Sequence, residues 1–352
     1  MPNATLDPAP DLAPSPSPWR TATPEACRKR HRLLAAVAAA FIVVGAVFGF
    51  PTGREVITGW LLLVLWAACA GDLRVWRRTV ARDWLPLLTV LFAYDLLRGS
   101  ANDIGGRLFA LPSYLSSPTD PRLRAQANLT EPVAVDRALF GGHVPTVWLQ
   151  ERLYDAGHVH WYDLLAVGVY FSHFLVSLAL AVLLWAVAYP VFRRYLATLV
   201  TLTLTTLATY ALYPAAPPWM ASLNGFLPAG VVRVVPATLS SVGGHTVNSA
   251  IERGAAYSNP VAAVPSLHAA VPMMLLLFAW PLVGPRVRAL LIAYVGAMAF
   301  TLVYAGEHYV IDVLLGWLYA AGSVWAVRSL SGLGGLRTRS QGSNAPRAAE
   351  RC

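Results

Sequence analysis

The chain has 352 residues, 56% of them hydrophobic and only 13% charged, with a mean hydropathy of +0.52. A soluble domain carries about 25% charged residues, so this composition excludes an ordinary aqueous globule and excludes disorder over most of the chain. The formal charge of +9, from 27 basic and 18 acidic residues, fits either a nucleic-acid binder or a membrane topology signal, and the placement of the charges decides between them.

In chain order, residues 1–32 are rich in Pro, Ala and Ser and read as a disordered tail. N-terminal transmembrane helices are expected over 33–97, from apolar runs at 33–50, 57–71 and 84–97, the last two borrowing from their flanks to reach membrane length. The basic cluster Arg28 to Arg32 resembles the start of a signal peptide, but no small-residue cleavage site follows before Pro51, so the first run is read as an uncleaved span. The loop 98–161 is too long for a bare connector. Within it, 145–156 sets Trp148, Leu149 and Leu153 against Gln150, Glu151, Arg152 and Asp155. That pattern fits a short amphipathic helix lying in the membrane interface, and equally one packed on the ends of other spans. Asn128-Leu129-Thr130 is a formal glycosylation sequon. Five further apolar runs, 162–189, 195–213, 265–283, 289–305 and 309–327, fall in a core over 162–327, before a Gly-, Ser- and Arg-rich tail over 328–352.

Eighteen of the 27 basic residues lie in the tails and in the connections 72–83, 190–194 and 284–288. These segments all fall on one side of an eight-span arrangement, which the positive-inside rule makes cytoplasmic, with both termini inside. Most of the other nine lie in the long loops 98–161 and 214–264, which cross largely regardless of charge. No basic stripe interleaves with stacking aromatics, so nucleic acid is not an expected partner. Lys29 is the only lysine, an imbalance that suits a GC-rich bacterial genome. The three cysteines, Cys27, Cys69 and Cys352, are too far apart for a zinc spacing.

Two histidines stand out by position. His268 opens the sixth run, in Pro265-Ser266-Leu267-His268, and His308 lies just before the eighth, in Gly306-Glu307-His308. The 40 residues between them amount to one span in and one span back, so both return to the outer, extracytoplasmic face. Asp312 follows His308 by four residues and shares its helical face. A carboxylate accepting from Nδ1–H fixes the tautomer and leaves Nε2 as a nucleophile. His268 is then free to act as the general acid. Ser266 is placed to cap a helix whose first N–H groups bind an anion. Together these point to phosphoryl transfer. A metal site built from His268, Glu307, His308 and Asp312 is the rival reading, but the two-His helical spacing of a zinc site is absent and no cofactor is implied. A transporter would show broken helices at matching positions of two halves, which the sequence does not offer, and a scaffold that keeps the fold without chemistry would tolerate loss of His268 or Asp312.

The residues 265–268 and 306–312 resemble the second and third motifs of the type 2 phosphatidic acid phosphatase superfamily. Leu267 in place of glycine, Tyr213 to Trp219 and Leu139 to Gln150 are similar to its inositol phosphorylceramide synthase-like branch. The likeness covers roughly residues 90–327. It implies an all-α polytopic helical bundle acting as a lipid phosphotransferase or phosphatase, with head-group transfer favoured. His308 would form the phosphohistidine, Asp312 assist it, His268 protonate the leaving group and Ser266 help hold the phosphate. The partners implied are the bilayer, a lipid phosphate or phospholipid substrate, and a polyol or lipid hydroxyl acceptor. The superfamily's first motif is absent in its usual form, and Thr301-Leu302 stand where its third motif carries Ser-Arg. Arg98 and Arg253 are the substitutes expected for these missing cations, with Arg137 and Arg152 also outward. His173, in the fourth run, is expected along the substrate path.

Overall fold

The computed structural model describes residues 24–48, 54–90, 128–227, 230–242 and 261–335, and among them every regular element is helical. Each of the eight apolar runs is mostly helical in its described part. The first two form α1 (Pro24–Phe48) and α2 (Arg54–Ala68), and the third begins at the end of a π-helical turn, Val80–Trp84, that follows α3 (Leu73–Thr79) and continues as helix to residue 90. The outer segment holds α4 (Thr130–Leu139) and α5 (Pro145–Leu153). The core follows as α6 (Trp161–Val187), α7 (Tyr189–Leu212), the short α8 (Pro218–Leu223), α9 (234–242), α10 (Leu267–Ala279), α11 (Pro285–Tyr304) and α12 (Val310–Gly335).

By length and composition, Pro285–Tyr304 and Val310–Leu330 are each apolar and long enough to cross a membrane. Trp161–His173 and Leu175–Val187, bent by 42° to one another, make a third if counted as one span. Near that bend the Ser172 and Ser177 hydroxyls donate to the Val169 and His173 carbonyls, back-bonding of a kind that bends helices. Leu165, Leu290, Leu318 and Trp325 are all more than half exposed, a surface suited to hydrocarbon rather than water.

Two fastenings define the ends of the bundle. At one end buried Asp83 accepts from Arg82 at 2.7 and 3.0 Å, from Trp185 Nε1 at 3.1 Å and from the Tyr189 hydroxyl at 2.7 Å. These bonds tie the π turn to the α6–α7 junction, above a core of Trp84, Trp185, Phe192, Tyr195 and Met274. At the other end the chain around 128 lies along 214–216, which in turn bridges Ala262. Asn128 is committed there: its Nδ2 donates to the Pro214 carbonyl at 2.9 Å, so the sequon amide serves the fold.

Helix α5 packs on the ends of other spans with Leu149 and Leu153 against the core, but Trp148 turns outward and Gln150 inward. Gln150 is buried and Trp148 is 47% exposed, with Arg152 stacked 4.1 Å above its ring. The reason is hydrogen bonding. Gln150 Nε2 donates to the carbonyls of Val232 and Tyr304 at 2.8 and 2.7 Å, and Oε1 accepts from Val232 N–H at 2.8 Å. A side-chain amide that satisfies three buried backbone groups is worth more inside than outside.

Candidate active site

The site forms where α6, α10, α11 and α12 meet. Ser266 caps α10: it is fully buried and its Oγ accepts from Ala269 N–H at 3.3 Å. Its own N–H donates to the Asp312 carbonyl at 3.0 Å, tying the start of α10 to α12. This approach requires Gly316, because a Cβ there would lie 2.4 Å from the Ser266 carbonyl oxygen. Asp312, Gly316 and Ala320 follow at four-residue intervals along this buried face, a small-residue seam of the kind that lets membrane helices approach closely.

On α12, Asp312 Oδ2 lies 3.4 Å from His308 Nδ1 and accepts from Tyr309 N–H at 2.9 Å. Both partners are buried, Asp312 completely. Oδ1 has no hydrogen-bond partner among the described residues, an exception of the sort found at functional sites. The His268 ring stands 6.1 Å from the His308 ring, centre to centre. Tyr170 stacks on His268 at 4.8 Å with an interplanar angle of 19°, and His173 lies 4.4 Å from it on the same helix, α6. His308, Asp312, His268, Ser266 and His173 are therefore brought together. Arg98 and Arg253 lie outside the described residues. Arg137 is exposed on α4, and Arg152 is engaged with Trp148.

A different cation stands at the site. Arg233, just before α9, grips Glu307 in a bidentate pair, Nε to Oε1 at 2.9 Å and Nη2 to Oε2 at 3.1 Å. Its guanidinium lies 4.7 Å from the centre of the Trp219 ring. Burial alone would depress its pKa, but the Glu307 carboxylate outweighs burial and holds it above its ordinary value. Glu307 is the neighbour of His308 in the chain, so the pair borders the site. Trp219 thus backs a charged group of the site. Gly306, with φ +74°, makes the turn possible, since a Cβ there would meet the Val232 carbonyl at 2.7 Å.

Asp136 is the second addition. It is fully buried, and its carboxylate accepts from Val310 N–H at 3.0 Å and Ile311 N–H at 3.1 Å, capping α12 from another element. Neither Arg233 nor Asp136 belongs to a motif. The only sequence signal for Arg233 is that it and Arg253 are the two basic residues of the loop 214–264.

Residues 133–326 match the PAP2 superfamily, a stretch that holds the whole constellation. The chain belongs to the PAP2 superfamily. A curated relative, the phosphoinositol dihydroceramide synthase of Bacteroides thetaiotaomicron, is 37% identical over 113 residues, covering 30% of this chain and 35% of the relative. The chain therefore spans about a third of that relative's length. No solved structure matches. The matched stretch also holds Thr301-Leu302 and the Arg233–Glu307 pair.

Proposed function

We propose that the chain is a multi-pass enzyme of the cell membrane that moves a phosphoester head group between lipids through a phosphohistidine. The observation that carries this reading is the buried His308–Asp312 pair facing His268, with ring centres 6.1 Å apart. In the first step His308 Nε2 attacks phosphorus as the bond to the leaving oxygen breaks, and His268 gives its proton to that oxygen. Asp312 steadies the cationic imidazole. In the second step an acceptor hydroxyl attacks the phosphohistidine, its proton passes to His268, and the P–N bond breaks. The relative's name supports a phosphoinositol-type head group and a ceramide-like acceptor. Water as acceptor would make the same site a lipid phosphatase.

In this proposal all eight apolar runs cross the bilayer, both termini are cytoplasmic, and the site faces the opposite, extracytoplasmic side. Substrate enters sideways from the outer leaflet to a core over 162–327, and the host is a bacterium. The Ser266 hydroxyl and the Arg233 guanidinium hold the phosphate. The test is transfer of labelled head group in proteoliposomes with and without a ceramide-like acceptor. His308→Ala is expected to abolish both turnover and trapping of labelled phosphoenzyme while inserting normally. Wild-type-like turnover in that variant would overturn the mechanism.

A further inference from the structure

The Arg233–Glu307 pair is the part of the site that phosphoryl transfer alone does not explain. A phosphate-binding arginine would serve the reaction without a carboxylate locked to it. Here Glu307 occupies two guanidinium N–H groups at 2.9 and 3.1 Å, its side chain only 9% exposed, in the position next to His308. One face of the guanidinium is covered by Trp219, and among the described residues its remaining N–H donors make no other hydrogen bond, which leaves them for a phosphate oxygen. The pair carries no net charge, and at partial burial that absence counts for more than it would in water. A phosphodiester brings one negative charge, whereas a phosphomonoester brings up to two near neutral pH, with a second pKa of about 6.

We propose that Glu307 sets the charge class of the substrate: by neutralising Arg233 beside His308, it fits the site to singly charged phosphodiester lipids and turns away doubly charged phosphomonoesters. The inference rests on the lipid phosphotransferase reading and deepens it. Glu307 is on this account a positioning and specificity residue that acts through Arg233, and Arg233 is the group that meets phosphate.

The experiment compares two probes on the full chain in liposomes: phosphatidylinositol with a ceramide-like acceptor, followed as new labelled lipid, and phosphatidic acid in water, followed as released phosphate. Glu307→Gln is expected to raise the monoester-to-diester ratio about tenfold or more, by removing one charge at close range. Glu307→Asp is expected to keep the wild-type ratio, and Arg233→Lys to slow both reactions through loss of the fork. A second measurement needs no variant. In the wild type the ratio should climb as pH falls through about 6, where the monoester takes up its second proton. His308, His268, His173 and Asp312 act on both substrates, so a change in their charge moves both rates together, whereas loss of the Glu307 charge shifts the ratio the way Glu307→Gln does. Turnover with a ratio indifferent to both Glu307→Gln and pH overturns the inference alone. No turnover of either lipid by the wild type overturns the phosphotransferase reading and the inference with it.

Discussion

Gly316 shows how narrowly a single residue can control this site. Its hydrogen occupies the space in which a Cβ would press to 2.4 Å of the Ser266 carbonyl, and the same turn donates Ser266 N–H to the Asp312 carbonyl. Gly316→Ala must therefore push the start of α10 away from α12, and His268 with it. The expected cost is about 1–3 kcal/mol of stability, the usual penalty of overpacking, with a loss of kcat/KM well beyond what that stability change explains, because a displacement near 1 Å at a reacting group costs about 100-fold. Thermal unfolding in detergent alongside head-group transfer measures both, and an active, fully stable alanine variant would show the seam to be loose. The residues that meet here were legible because their spacing encodes the geometry: His308 and Asp312 are one helical turn apart, and Ser266 precedes His268 at a helix start. Arg233, Asp136 and Gln150 were not legible in the same way. Each reaches its partner across 74 to 174 residues of chain, and no local periodicity records such a contact.

At the level of elements, α12 is positioned by a carboxylate it does not own. Asp136 caps the first N–H groups of α12, two residues beyond His308. Burial raises its pKa to about 6, with the charge of Asp312 adding to the effect and the two N–H bonds opposing it. An unfolded Asp titrates near 4. Between about 4 and 6 the folded chain therefore binds a proton that the unfolded chain does not, so this contribution to stability is full below 4 and is lost as pH rises to 6. Asp136→Asn removes the titration and retains one acceptor. The stability advantage of the wild type over this variant is expected to shrink, on the order of 2–3 kcal/mol, between pH 4 and pH 6.5. Melting temperatures of both proteins across that range give the sign, and an advantage that is flat or grows with pH would refute it. The helical runs themselves were readable from hydropathy. On α5 Leu149 and Leu153 pack inward as their pattern implies, but the exchange of Trp148 for Gln150 was not readable, because the hydrogen bonds of Gln150 depend on carbonyls from two other segments.

On the scale of the whole molecule, the site and the arginines Arg82, Arg286, Arg288 and Arg328 lie toward opposite ends of the same helices. Helix α11 has 20 residues, about 30 Å of rise and so one hydrocarbon thickness. It starts beside Arg286 and Arg288 and ends at Tyr304, four residues before His308. Helix α12 runs back from the site to Arg328, which donates to the Leu277 carbonyl at the far end of α10. At that far end Arg288 stacks 4.8 Å from the Trp280 ring and Arg82 5.7 Å from the Tyr189 ring, cation–aromatic pairs suited to a membrane–water boundary. The positive-inside rule applied to these arginines supports a cytoplasmic assignment for that end and an extracytoplasmic one for the histidines. Single cysteines at exposed His158 and Arg286, introduced into a chain lacking its native three, test the assignment directly. In intact cells a membrane-impermeant thiol reagent is expected to label His158→Cys at once, and Arg286→Cys only after permeabilisation. The reverse pattern would turn the molecule over and put lipid chemistry in the inner leaflet, whereas labelling of both in intact cells would break the span between them. Only the expected pattern agrees with the proposed route, in which donor and acceptor lipids reach His308 from the outer leaflet without crossing the arginine collar.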